Sequence, residues 1–516
     1  MDKTGPATLP LAPVLEHLQG SRRSVTVSRP DILPCAPSGE EERSPPLLAI
    51  GVWTTIALGG LIGMTLAGTE VGALPGLGHG HWWFSVPAGP TGTVRLIFYV
   101  SVALAVLGWL GIGAEARQHR LSTRRAAAIL TVWSVPLVAG PPLFSRDVYS
   151  YTGQGLIVHQ GLNPYTFGPA VLGNRALAAS IASIWRHTPA PYGPLFVSIS
   201  RGIVALVGNS LVTNAIAFRA VEGVGMALLV VSLPRLAGRL GADPGMALWL
   251  GALSPLVFFG FISSGHNDCL MVGLLVAGVT VSMEGHRMVG LVLCALAASV
   301  KAPAALGIVF LAAEQMRGHG GRWITRTLAE YILIPVGTVS IVTLASGLGW
   351  EWLAPNNLRI PTEIRVLTSP AVSIGIAVSR VASAAGVHAS QAGTVTVLQA
   401  VGGVFAVGGI CWLLFQVRRN NVVRLLAVAL LIVVLAGPTL WPWYLTWGVV
   451  LLSATQAQRS KVLAVAGGLA MLAVGPSGAP MLRNYAYWAV TLAVLGAAAW
   501  LLTGRRWSTV VLGRRA

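Results

Sequence analysis

The sequence predicts an all-α polytopic membrane protein, and three observations carry that prediction. The chain has 516 residues, 54% of them hydrophobic and 10% charged, where soluble domains carry about 25% charged residues. Its mean hydropathy is +0.70. Apolar runs of about twenty residues recur along it, the length that crosses a hydrocarbon core of about 30 Å. Arginines gather in alternate loops between those runs, the pattern of cytoplasmic loops. That pattern accounts for the net charge of +18, so no nucleic-acid partner is expected. The bilayer supplies the apolar solvent, so one helical membrane domain is expected over 46–503, not one domain per roughly 150 residues.

Residues 1–45 mix Pro, Ser, Glu and Arg without periodicity and are expected to be a disordered cytoplasmic tail. No cleavable leader is expected before the first long run. About 13–14 spans follow, at 46–68, 93–114, 124–142, 213–234, 244–264, 268–284, 286–302, 303–317, 323–348, 393–416, 421–440, 444–457, 462–476 and 486–503. A basic cytoplasmic tail, 504–516, closes the chain. The arginine pairs and triplets at Arg124 and Arg125, Arg235 and Arg239, Arg317, Arg322 and Arg326, and Arg418, Arg419 and Arg424 mark cytoplasmic turns. The alternate loops, 69–92, 143–212, 265–267, 349–392, 441–443 and 477–485, face outward. Residues 193–208 and 371–387 also look like spans, but each carries a mid-segment arginine, Arg201 or Arg380. Counting them as spans breaks the arginine alternation. They are expected as helices on the outer membrane surface, apolar face down.

The outer loop 143–212 is far longer than an ordinary connection. It opens on Phe144-Ser145-Arg146-Asp147-Val148-Tyr149-Ser150-Tyr151, after the helix-stopping Pro141-Pro142. A helix is expected near 148–160. Asp147 either pairs with Arg146 or caps that helix, or it acts in chemistry among Arg146, Tyr149 and Tyr151. Further on come Trp185-Arg186-His187 and the breaker-rich Pro189-Ala190-Pro191-Tyr192-Gly193-Pro194. At Gly265-His266-Asn267-Asp268 two apolar runs meet with hardly any loop. Asp268 suits a helix N-cap, but ionisable and polar residues at a membrane edge point to function. Lys301 ends a run on the outer side, where it either snorkels or binds a lipid phosphate. Arg186, His187, Arg359, Arg365 and Arg483 add outward positive charge, and arginine suits phosphate. Trp441-Pro442-Trp443-Tyr444 is an aromatic belt or a sugar-stacking surface. Arg219 and Glu222, one helical turn apart, are expected as an ion pair.

Other chemistries leave no trace. There is no phosphate-binding glycine loop and no dinucleotide fingerprint. No outer Asp-x-Asp is present, so no metal and no cofactor is expected. Cys35, Cys269, Cys294 and Cys411 have no paired spacing. A lipid transporter is the alternative to an enzyme. It would be expected to show discontinuous spans and midplane polar sites, which the sequence does not reveal.

The segments just quoted, with Gly161-Leu162-Asn163-Pro164-Tyr165 and the continuation Leu195-Phe196, resemble the mycobacterial α-(1→6)-mannopyranosyltransferases A and B. The resemblance runs from about residue 46 to 503. It implies a GT-C-like bundle with outer-surface juxtamembrane helices, multi-pass in the cytoplasmic (inner) membrane, both termini cytoplasmic and the site on the outer face. It implies an inverting transfer of mannose from a polyprenyl-phosphomannose donor to a mannan or lipomannan acceptor. In that fold an acidic residue of an early outer loop is the base, here Asp147. The candidate substrate-binding residues, read from their setting and from the chemistry of such a transfer, are Arg146, Tyr149, Tyr151, Arg186, His187, Tyr192, His266, Asn267, Asp268 and Lys301, with His266, Lys301 and Arg186 for phosphate and Asn267 and Tyr149 for sugar. In that fold the base usually follows the first span. Here it follows the third, so the first two spans are taken as an N-terminal addition.

Overall fold

The computed structural model describes residues 46–75, 82–84, 90–317, 321–364, 369–388 and 390–479. The expected tails 1–45 and 504–516, the expected span 486–503, and Cys35, Arg365 and Arg483 lie outside the described residues. The protein is an all-α polytopic membrane protein.

The first apolar runs form α1 (Pro46–Val71), α2 (Thr91–Ala116) and α3 (Thr123–Ala139). Small residues let α1 and α2 close on each other: a side chain at Gly60 would strike the Ser101 carbonyl, and one at Gly108 would strike Ala57. Ser122 caps α3 by accepting from the Arg125 amide at 3.3 Å. The helix stops before Pro141-Pro142, which cannot continue it. The long connection then folds into α4 (Asp147–His159), α5 (Arg175–Ser180), α6 (Ser183–Arg186) and α7 (Pro194–Val207). Next come α8 (Leu211–Arg239), α9 (Pro244–Leu250) and α10 (Pro255–Val257), which runs on as a π-helical turn over Phe258–Ser263.

The second half continues with α11 (Asp268–Met283), α12 (Arg287–Val300), α13 (Leu306–Met316), α14 (Arg322–Ser346) and α15 (Pro355–Glu363). It ends with α16 (Pro370–Ala384), α17 (Gln391–Gln416), α18 (Val422–Ala436), α19 (Thr446–Ser453) and α20 (Gln458–Gly468). Five helices, α1, α2, α8, α14 and α17, are long and apolar enough to cross a membrane among the described residues. A bent pair makes a sixth if it counts as one span. Helices α7 and α16, the segments expected on the membrane surface, have 14 and 15 residues. At 1.5 Å per residue that is roughly 21–23 Å, short of a bilayer core.

The expected continuous span 244–264 is the bent pair, with an angle of 50° between its halves. Pro255 has no amide to donate, and Ser254 caps the new helix by accepting from the Val257 amide at 3.4 Å. A reciprocal tryptophan pair clamps the first half to α2. Trp109 and Trp249 stack at 5.0 Å, and each indole donates to the other's backbone carbonyl, at 3.1 and 2.7 Å. The expected ion pair of Arg219 and Glu222 is absent. Arg219 donates to backbone carbonyls, and Glu222 accepts from the Leu270 amide at 3.0 Å in the first turn of α11, where a carboxylate is favoured.

Helix direction sorts the charges. α3 runs from Arg124 and Arg125 toward Asp147, and α12 runs from Arg287 to Lys301. α11 starts at Asp268 and ends beside Glu284, which pairs with Arg235 and Arg239 of α8. The arginine-rich turns and the ionisable residues singled out above therefore occupy opposite ends of the same helices.

Candidate functional site

Asp147 is the first residue of α4 and is 7% exposed. Neither structural role expected of it is filled. The N-cap position of α4 is held by Arg146, not by Asp147, and the Arg146 guanidinium turns away to donate to the Leu74 and Ser180 carbonyls at 2.9 and 3.1 Å. The Asp147 carboxylate instead faces His266, with Oδ2 3.4 Å from Nδ1. The approach is strained: Phe144 holds φ of +65°, a left-handed conformation that costs a non-glycine residue roughly 1–2 kcal/mol. Packing offsets it. The Phe144 ring stacks on Phe259 at 5.2 Å, and its amide donates to the Pro476 carbonyl at 2.8 Å.

His266 comes from the turn between the π-helical segment and α11. Gly265, at φ +72°, lets the chain reverse against Val148 of α4: a side chain there would come within 2.7 Å of the Val148 methyl. The imidazole is fully buried and stacks on Trp443 at 4.0 Å. Neither ring nitrogen of His266, and neither amide atom of Asn267, has a hydrogen-bond partner in the structure. Unpaired buried polar atoms are costly and uncommon, and here they gather beside a carboxylate. Trp443 is not a sugar platform, because Trp441 stacks on it at 5.0 Å in addition to His266.

Asp268 is not the N-cap of α11. It is the helix's first residue, and its side chain pairs with Lys301, Nζ lying 2.9 and 3.1 Å from the two carboxylate oxygens. The Trp447 indole donates to the same carboxylate at 2.6 Å. Lys301 therefore does not snorkel. It is buried, with its ammonium 4.2 Å from the Tyr444 ring centre and 5.3 Å from that of Trp447. Desolvated cation–π contacts of this kind contribute up to about 2 kcal/mol.

Lys301 also lines a cavity of about 380 Å³, with Trp185, Tyr192, Ile360, Val433 and Tyr444 among its walls. Its lining is mostly apolar, and Lys301 is the one charged side chain there among the described residues. Arg186, next to Trp185, is partly exposed and gives one N–H to the Ile181 carbonyl at 3.3 Å. A guanidinium has five such donors. His187 is exposed at the end of α6.

Three expected binding residues are occupied elsewhere. Arg146 ties the loop down as described. The Tyr149 hydroxyl donates to the Ala73 carbonyl at 2.7 Å. The Tyr151 ring sits in an edge-to-face cluster with Tyr192, Phe196 and Phe218. Burial pushes all three phenols, Tyr149, Tyr151 and Tyr192, above the ordinary tyrosine range, so they remain protonated. Trp443, expected in an aromatic belt or a sugar-stacking surface, and Trp447, expected inside the span 444–457, both carry contacts to the site. Only the position of Trp443 beside Pro442, where a helix must begin anew, hinted otherwise.

An apolar helical bundle with a carboxylate–imidazole contact and a paired lysine beside an apolar cavity has the make-up of a membrane-embedded enzyme. Residues 54–317 match the family described as alpha-(1->6)-mannopyranosyltransferase, N-terminal domain, and residues 371–504 match the MptB C-terminal domain. Alpha-(1->6)-mannopyranosyltransferase A of Mycobacterium tuberculosis is 32% identical over 426 residues, covering 78% of this chain and 80% of that protein. A probable alpha-(1->6)-mannopyranosyltransferase of Mycolicibacterium smegmatis is 33% identical over 404 residues, 70% and 71% of the two chains. Alpha-(1->6)-mannopyranosyltransferase A of Corynebacterium glutamicum is 28% identical over 441 residues, 80% and 89%. No solved structure matches the chain. The chain belongs to the alpha-(1->6)-mannopyranosyltransferase family, a family of glycosyltransferases.

Proposed function

We propose that the chain is an inverting GT-C-type mannosyltransferase. It takes mannose from polyprenyl-phosphomannose and adds it in α-(1→6) linkage to a mannan or lipomannan acceptor at the outer face of the cytoplasmic membrane. The observation that carries this reading is Asp147: buried, unspent on Arg146 or on a helix cap, and 3.4 Å from His266. A carboxylate in a sheltered site that neither pairs with an arginine nor caps a helix is suited to general base work. The opposite-end placement of the arginine turns supports an outward site, because such turns mark the cytoplasmic side.

In this reading Asp147 accepts the proton of the acceptor hydroxyl. The hydroxyl oxygen forms its bond to the anomeric carbon on the face opposite the phosphate. The carbon–oxygen bond to phosphate breaks, and its electron pair leaves with the phosphate. A β-linked donor gives an α-linked product. The apolar cavity takes the first prenyl units. Lys301 and Arg186 meet the phosphate charge as it grows, and Arg186 has more free donors. His266 and Asn267 offer their unpartnered polar atoms to sugar or phosphate oxygens, and Tyr192 shapes the cavity between them.

One observation favours a lipid transporter instead: the break between α9 and α10, because discontinuous spans mark transporter sites. The break does not present groups to a ligand. Ser254 Oγ donates to the Gly251 carbonyl at 3.2 Å and caps the next helix, and the residues 251–254 are buried. The test is to incubate purified protein with radiolabelled polyprenyl-phosphomannose and a short α-1,6-mannoside. The proposal expects an elongated product cleaved by an α-mannosidase and no product from a nucleotide sugar. Absence of product with movement of the lipid across vesicles would establish the transporter.

A further inference from the structure

We propose that Arg219 is a positioning residue that sets the spacing of Asp147 and His266; the inference rests on the transferase reading above. Arg219 lies in α8 and is 3% exposed. Its guanidinium has no carboxylate partner, since Glu222 is bound to α11. It satisfies backbone carbonyls instead. Nη1 donates to Val138 at 3.1 Å and Gly140 at 2.6 Å, and Nη2 donates to Ser263 at 2.6 Å. Those carbonyls belong to two chain ends, the C-terminus of α3 and the C-terminus of the π-helical turn, which carry partial negative charge and lack helical partners.

The two ends lead to the two site residues. Gly140 opens the segment that reaches Asp147, and Ser263 opens the turn that reaches His266. One planar cation thus ties both. A second tie crosses the same junction: Ser264 Oγ donates to the Leu143 carbonyl at 2.7 Å. A site on Gly265 for a side chain would also meet the Arg219 stem, at 3.6 Å. A lysine at 219 keeps the charge but loses the rigid fork, so it cannot hold both ends in the same register.

The test is Arg219→Lys, alone and combined with His266→Ala, in purified folded enzyme with the donor and α-1,6-mannoside titrated. The expected result is a loss of about 10- to 100-fold in kcat, the scale of an ångström-level misplacement. Donor KM should stay near wild type, and the loss should be much smaller in the His266→Ala background. Full additivity of the two losses, or a loss explained by folded fraction alone, overturns the inference. Ser264→Ala tests it independently of the folding of the lysine variant: it should lower kcat less and be non-additive with His266→Ala, and additivity there counts against the proposal too. Asp147→Asn separates the two readings: wild-type turnover by that variant overturns the base assignment, whereas additive losses alongside an impaired Asp147→Asn overturn this inference alone.

Discussion

Asp268 and Lys301 form a pair that neither residue can lose alone. Their side chains are 1% and 10% exposed, so removing one leaves a buried charge, typically at a cost of about 3–5 kcal/mol. Lys301→Met and Asp268→Asn should each lower the melting temperature in detergent, while the double variant recovers most of the loss. Single variants that melt like the wild type would show that the pair is not buried in solution. Transfer by the stable double variant then reports what Lys301 does for the donor. The individual ionisable residues were legible in the sequence because charge at the edge of an apolar run is anomalous. Their partners were not. Asp268 and Lys301 sit on different helices, and Asp268 reads as a cap from its position alone. Tyr149 and Tyr151 flank Asp147 in sequence, which suggests substrate contacts, but helix periodicity turns Tyr149 toward Ala73 and Tyr151 into the α7 packing.

At the scale of elements, hydropathy located the helices and missed what bends them. The run 244–264 has uniform apolar character, so its length suggested one span. Ser254-Pro255 inside it is the cap-and-start signal that breaks it. The π-helical turn that follows has no sequence signature, although such turns are frequent at functional sites. The turn of Gly265 carries the next prediction. Gly265→Ala places a Cβ at φ +72°, within 2.7 Å of Val148. The left-handed conformation alone costs roughly 1–2 kcal/mol, and the overlap with α4 pushes His266 from Asp147. Both melting temperature and turnover should fall. A variant with unchanged turnover would mean that the His266 turn is not held against α4.

For the whole molecule, the arginine alternation gave an orientation that the helix directions support and that labelling can test. The native cysteines are first replaced. Single cysteines are then placed at the exposed residues Ala176, before the site, and His286, in the turn between α11 and α12. An impermeant thiol reagent added to intact cells should label Ala176→Cys and spare His286→Cys. Equal labelling would refute the outward site. The proposed function stands on Asp147 as the base for mannosyl transfer. Asp147→Asn keeps size and polarity and removes the proton acceptor. In purified enzyme saturated with polyprenyl-phosphomannose and acceptor, kcat should fall by about 10²–10⁴-fold while the melting temperature holds. Wild-type turnover by folded Asp147→Asn protein would contradict the account.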